Sequence, residues 1–275
     1  MCLHAGSSAA ESENLMRRDN IFWGTVLIVL GTLFFLQRQG IIPSIGPYIW
    51  PLALILVGGW LILSVYWRPV PSEGEKFDVA LRDAKSVRYR FSHGAGQIVI
   101  SGGAPAGRAL VGSSAVGMNE RSHLDGDRLE VRIEAGASFV PFVGPSDGTW
   151  RFQLTQEVPV TLKVETGASQ LDMDLTDILA SHIELETGAS NSNVIMPSRG
   201  PSVLNLEAGA ASINITIPQG VAGRIRIKEG LTSLSVDKDR FPQIDSRLYQ
   251  SSDFDTSPNR AEVSVEAGLG SITIK

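Results

Sequence analysis

The chain has 275 residues, a formal net charge of −5 and a single cysteine. That length is enough for more than one domain. The acidic balance leaves no basic footprint for nucleic acid, and one cysteine excludes an intramolecular disulfide framework.

Residues 1–16 read as a disordered N-terminal tail. The stretch MCLHAGSSAAESENL is small and polar and lacks the apolar run that a signal peptide needs. Only Met1 precedes Cys2, so no apolar leader marks it as a lipid acceptor. Met16, followed by Arg17 and Arg18, is an alternative start.

Residues 17–68 read as a two-helix transmembrane hairpin. Ile21–Leu36 and Trp50–Trp67 carry no charge, and each approaches the roughly 20 residues that span a bilayer core. Both runs are apolar all round, unlike a half-buried core helix, and Phe22, Trp23, Tyr48, Trp50, Tyr66 and Trp67 stand where interfacial aromatics belong. Pro51 suits a first helical turn. Gly24, Gly31, Gly58 and Gly59 would let the helices approach closely. Arg17, Arg18 and Arg68, with Lys76 beyond, flank the outer ends, and only Arg38 lies between the runs. The positive-inside rule then places both termini in the cytoplasm, as a two-pass protein of the plasma membrane. Residues 69–76, PVPSEGEK, form a linker without apolar periodicity.

Residues 77–275 are organised by a motif. Glu165-Thr166-Gly167-Ala168, Glu186-Thr187-Gly188-Ala189 and Glu207-Ala208-Gly209-Ala210 recur at a step of 21. With each glycine as origin, apolar residues fall five and three before it (Leu162 and Val164, Ile183 and Leu185, Leu204 and Leu206) and four and six after it (Leu171 and Met173, Ile213 and Ile215). The template also fits Gly94, Gly136, Gly230 and Gly268, with Val140 and Phe142 as the later pair after Gly136. A spacing of two within each arm predicts a half-buried strand. The glycine predicts a sharp bend where φ can be positive. One such unit cannot bury its apolar face alone, whereas stacked units can. The expected fold is therefore an all-β repeat domain, β-solenoid or roll-like, with repeats of about 21 residues. A β-sandwich is the alternative. Insertions are expected near Val143–Trp150 and between Asp237 and Asn259. The second should cap the last rung, Val263–Ile274, through Phe241, Leu248, Tyr249 and Phe254.

No reactive constellation emerges. His4, His93, His123 and His182 share no metal-ligand spacing, and His93 and His182 read as solvated surface residues. Neither a nucleophile elbow nor a phosphate-binding loop is present. Glu165, Glu186 and Glu207 would stack into an acidic row able to hold cations, but the next equivalent, Lys228, sets a positive charge where a further ligand should be. Asp172, Asp174 and Asp177 have Asn193, Ile195, Asn214 and Thr216 as equivalents, and no shared site survives that comparison. The expectation is a protein without catalytic residues, metal or cofactor.

The run RRDNIFWGTVLIVLGTLFFLQRQGII, followed by IWPLALILVGGWLIL, resembles the two-helix membrane region of the Lia-type bacterial envelope-stress proteins. The repeats, with the ending VEAGLGSITIK, resemble the toast-rack β domain, also known as an adhesin-like repeat. The resemblance implies a non-enzymatic bacterial membrane protein whose β domain contacts other membrane or signalling proteins, such as a sensor kinase. It names no individual partner and sets no oligomeric state. A surface-exposed adhesin-like protein is the competing expectation.

Overall fold

The structure, a computed structural model, describes Phe35, Arg38, Gln39 and residues 75–114, 118–135 and 149–275. Gly136 and nearly all of the hairpin expected over 17–68 lie outside these residues. Among the described residues, no helix is long and apolar enough to cross a membrane. The chain divides into two units, Met1–Arg68 and Pro69–Lys275. The described core runs from Phe77 to Ile274, so the second unit carries its own hydrophobic core.

The second unit is all β. Its strands are β1 (Glu75–Ala80), β2 (Ser86–Gly102), β3 (Arg108–Ser114), β4 (Met118–Asp125), β5 (Arg128–Ala135), β6 (Thr149–Leu154), β7 (Val160–Asp174), β8 (Ala180–Ile195), β9 (Pro201–Thr216), β10 (Ala222–Val236), β11 (Gln243–Asp245), β12 (Leu248–Gln250) and β13 (Arg260–Ile274). All belong to one 13-stranded sheet. Its body is parallel and in register: Leu162 stands beside Ile183, Ile183 beside Leu204, and Leu204 beside Val263. The antiparallel pairing that a sandwich requires is confined to β4 on β5, β1–β3–β6, and β10–β12–β11.

Connector length dictates the shape of each rung. A straight 15-residue strand such as β7 would be about 50 Å long. Only residues 175–179 separate β7 from β8, and five residues reach at most about 18 Å. Each long strand must therefore double back, and its glycine is the hinge. The burial pattern records the fold-back. On β7, Leu162, Val164 and Thr166 are buried, then Leu171 and Met173, so the inward parity switches from even to odd across Gly167. Gly94, Gly167, Gly188, Gly209 and Gly268 are each skipped in the ladder registers. The ladder resumes in the same register beyond each glycine, so the reversal of parity repeats from rung to rung and both arms aim their apolar sides inward.

These glycines do not take the positive φ expected of a bend, because the left-handed glycines lie elsewhere, at Gly126, Gly200 and Gly220 among others. The requirement for glycine is close approach. A Cβ on Gly188 would stand 2.7 Å from the Gly167 carbonyl oxygen, and one on Gly209 would stand 2.7 Å from that of Gly188. Gly167, Gly188, Gly209 and Gly268 each lie against the carbonyl of the glycine in the preceding rung of the stack, whereas a Cβ on Gly94 would meet nothing within 4 Å.

Two expectations about rung order and arm position need correction. The last strand in sequence is not the last rung, because β13 lies between β9 and β10 and pairs in parallel with both. The terminal rung is β10, and its first arm is the one covered. Tyr249 pairs with Ile225, and Phe241, Tyr249 and Phe254 are buried. Arg240 fastens the insert by donating to the carbonyls of Ile217 at 2.8 Å and Pro218 at 3.1 Å. At the other end, Trp150 and Phe152 stand beside Ile98 and Ile100 as the second arm next to β2, the place where the template set Val140 and Phe142, which lie outside the described residues. The insertion therefore precedes that arm. The strands β1, β3 and β4 fall outside the repeat template and were not expected.

Candidate functional site

The residue two before each bend glycine lies on the outer face of the first arm. In the observed stacking order, Glu165, Glu186, Glu207 and Glu266 stand directly beside one another on β7, β8, β9 and β13. Beyond them comes Lys228 on β10. With the glycines and residues such as Thr166, Thr187 and Ala208, they line an open groove of about 1070 Å³ that runs across the rungs.

The insertion of β13 changes the reading of this row. By sequence order Lys228 would follow Glu207, but in space Glu266 intervenes, so four glutamates are consecutive. The signal was available, since Glu266 stands two before Gly268 and obeys the template. What the repeat could not show was where that rung is placed.

Stacked carboxylates repel by roughly 1 kcal/mol per pair at about 4 Å in water-like surroundings. Lys163 offsets this at one end. Its ammonium lies 2.6 Å from Glu186 and 3.2 Å from both Glu165 and Glu184. The hydrogen bond to Glu186, reinforced by those to Glu165 and Glu184, holds the Lys163 ammonium above its ordinary range. Burial pushes the Glu165 carboxyl up, but the Lys163 ammonium and the Ser92 hydroxyl outweigh it and hold Glu165 below the usual carboxylate range. At the far end, Lys228 lies 3.3 Å from Glu266. The row is thus clamped between two lysines, with Glu207 on the strand between the two salt-bridged sets. Among the described residues, no cluster of three or more His, Cys, Asp or Glu side chains is placed to hold a metal ion.

His93 borders the same groove but is not the solvated histidine expected. Its ring nitrogens are buried without hydrogen-bond partners, and the ring lies 4.1 Å, centroid to centroid, from Trp150. Burial lowers its pKa, so the neutral ring is favoured. His182 and His123 are exposed, while His4 lies outside the described residues.

Asp172, Asn193 and Asn214 do come together. Asn214 donates to Asn193 at 3.0 Å, and Asn193 donates to Asp172 at 2.7 Å. This amide ladder on the second arm holds adjacent rungs in register, as stacked Asn side chains do in cross-β assemblies. Asp174 instead caps the following turn through Thr176.

The family described as the N-terminal domain of toast_rack, DUF2154, matches residues 68–216, and the LiaI-LiaF-like transmembrane region matches residues 21–62. No curated protein matches the chain. Among crystal structures, the chain is similar to a candidate cell adhesion protein from Clostridium sporogenes, with a TM-score of 0.68 and 20% identity over 75% of this chain and 99% of that one. A candidate adhesin from Bacteroides fragilis aligns over 74% of this chain and 99% of that one, with a TM-score of 0.28 and 10% identity.

Proposed function

The chain belongs to the toast_rack family, and from that premise we propose that it is a non-enzymatic, membrane-anchored scaffold or regulator of the bacterial cell-envelope stress response. One observation carries the reading: a LiaI-LiaF-like transmembrane region at 21–62 directly precedes the toast_rack match at 68–216 in a single chain. In this reading Ile21–Leu36 and Trp50–Trp67 cross the plasma membrane as a helical hairpin, and residues 69–76 link it to the β domain at 77–275. Both termini lie in the cytoplasm. The β domain works by contact with other membrane or signalling proteins, such as a sensor kinase. The in-register sheet supports this role, because it offers a long, rigid and patterned surface of the kind repeat proteins use for binding. The reading assigns no catalytic residue, metal or cofactor.

Two measurements test it. A topology reporter fused after Lys275 should read as cytoplasmic, and an exported reporter would move the adhesin-like reading to first place. Deleting the gene should change how strongly cell-wall-active antibiotics induce an envelope-stress reporter. Unchanged induction would remove the regulatory role.

A further inference from the structure

The outer face of the first arm carries a second row, opposite in sign and four residues before the bend glycines. Arg121 on β4 stands beside Arg132 on β5, Arg132 beside Arg90 on β2, and Arg90 beside Lys163 on β7. Four cations thus occupy one column across four adjacent strands. Like charges directly opposite one another in a sheet are destabilising. Elsewhere on this face a cation meets a carboxylate on the neighbouring strand: Arg88 with Glu130, Lys163 with Glu184 and Glu186, Arg226 with Glu262, and Lys228 with Glu266. The arginine run departs from that rule. Arg132 reaches only Glu134 on its own strand, at 3.8 Å. Arg90 and Arg121 form no salt bridge among the described residues. Arg90 acts on the Glu165 carboxylate only as a longer-range attraction, so this in-register run of guanidinium groups, two of them without a salt-bridge partner among the described residues, presents positive charge that an anion from outside the chain would offset.

We propose that the Arg121–Arg132–Arg90 row docks the β domain on an anionic phospholipid surface. The proposal rests on the membrane-anchored reading above. Charge and chain length favour a bilayer as the occupant. In that reading the second span ends at Trp67 and β1 begins at Glu75, so the intervening chain reaches at most about 25 Å. The row lies at the same end of the strand order as β1, on β4, β5 and β2, whereas the unbroken run of four glutamates begins at β7 and runs away from it, leaving Glu130 and Glu134 on β5 as the carboxylates that flank Arg132. A surface held permanently within tether reach is sampled at high effective concentration, so weak contacts suffice. Guanidinium groups bind phosphate oxygens with charge-assisted hydrogen bonds.

The test uses the Pro69–Lys275 unit, which carries its own core, sedimented with vesicles of phosphatidylglycerol in phosphatidylcholine or of phosphatidylcholine alone. Wild type should sediment with the anionic vesicles only and be released by high salt. Arg90→Gln/Arg121→Gln/Arg132→Gln should weaken binding on the order of a hundredfold, since each basic residue near an anionic surface contributes about a fivefold factor. Its melting temperature should hold or rise, because removing like charges from facing positions relieves repulsion. Arg199→Gln/Arg226→Gln/Arg247→Gln removes as many charges elsewhere and should bind like wild type. Equal loss in the two triple variants would reduce the effect to net charge, and indifference of wild type to phosphatidylglycerol would overturn the proposal outright. Neither result touches the anchor, which fails separately if high salt strips the full chain from membranes.

Discussion

The middle of the stack and its C-terminal end are built from the same template but held differently. In β7, β8 and β9 each rung follows the last through a five-residue connector, and sequence order is spatial order. At the C-terminal end the step from Gly209 to Gly230 is again 21, yet β13 lies between those two rungs. A five-residue connector reaches at most about 18 Å, which covers one rung spacing of about 4.8 Å or two with equal ease. The period therefore describes the shape of a rung and does not say which rungs touch. Contacts outside the repeat secure the order at this end. Asn259 accepts from the Gly200 amide at 2.9 Å, Arg240 ties the insert to the connector before β10, and Phe241 seats against Gly223, where a Cβ would come within 2.5 Å of the ring.

If that contrast is right, the insert is as much a part of the core as a rung is. Phe241→Ala should cost about 3–5 kcal/mol in chemical denaturation. A cost below about 1 kcal/mol would show that β10 and β13 hold their order without the insert. In the middle, Ile215→Ala should cost about 2–5 kcal/mol by opening a cavity, because Ile215 is fully buried. Its neighbour Asn214 faces outward into the amide ladder, and Asn214→Ala should cost about 1 kcal/mol or less. Equal losses at the two positions would contradict the register. Gly188→Ala should cost about 1–3 kcal/mol by overpacking, since the new methyl meets a backbone carbonyl that cannot turn aside. Gly94→Ala, where an added Cβ meets nothing within 4 Å, should be nearly neutral. That pair isolates close approach from bend flexibility as the reason for glycine.

The smallest effect is electrostatic and separates the clamped end of the glutamate row from its centre. The Glu165 carboxyl is held below its ordinary value of 4.5, so its contribution to stability is full above about that pH and is lost as pH falls through the folded-state value. Lys163→Met removes the main partner that lowers it and should move acid unfolding to higher pH. The change should stay under about 1 kcal/mol, because the Glu165 side chain is 37% exposed. Lys163 itself is held above its ordinary 10.5, so its contribution is full below that pH and is lost as pH rises through the folded value. Glu207→Gln, at a residue without a salt bridge among the described residues, should change stability at neutral pH by less than about 0.5 kcal/mol. A loss as large as that of Lys163→Met would show that the centre of the row is held as tightly as its clamped end.

The amino-acid sequence by itself determined the rung. Apolar residues at a spacing of two on either side of a glycine specify two half-buried arms and a bend, since that pattern buries both arms only if the chain doubles back. Leu162, Val164, Leu171 and Met173 were legible for that reason, as were the stacking of equivalent residues and the glutamates beside the bends at Gly167, Gly188 and Gly209. The sequence also carried the apolar anchors of the insert, because Phe241, Tyr249 and Phe254 stand out in a segment otherwise rich in Asp, Ser and Pro. Tertiary structure alone decided the rest. Rung order depends on contacts between residues far apart in the chain, so the four-glutamate row with Glu266 between Glu207 and Lys228 could not be read from the period. The reason for glycine depends on a carbonyl belonging to another rung, 21 to 73 residues away among these glycines, which no local conformational preference reports. The arginine column joins β4, a strand outside the template, to β5 and β2, and only sheet pairing sets Arg121, Arg132 and Arg90 side by side.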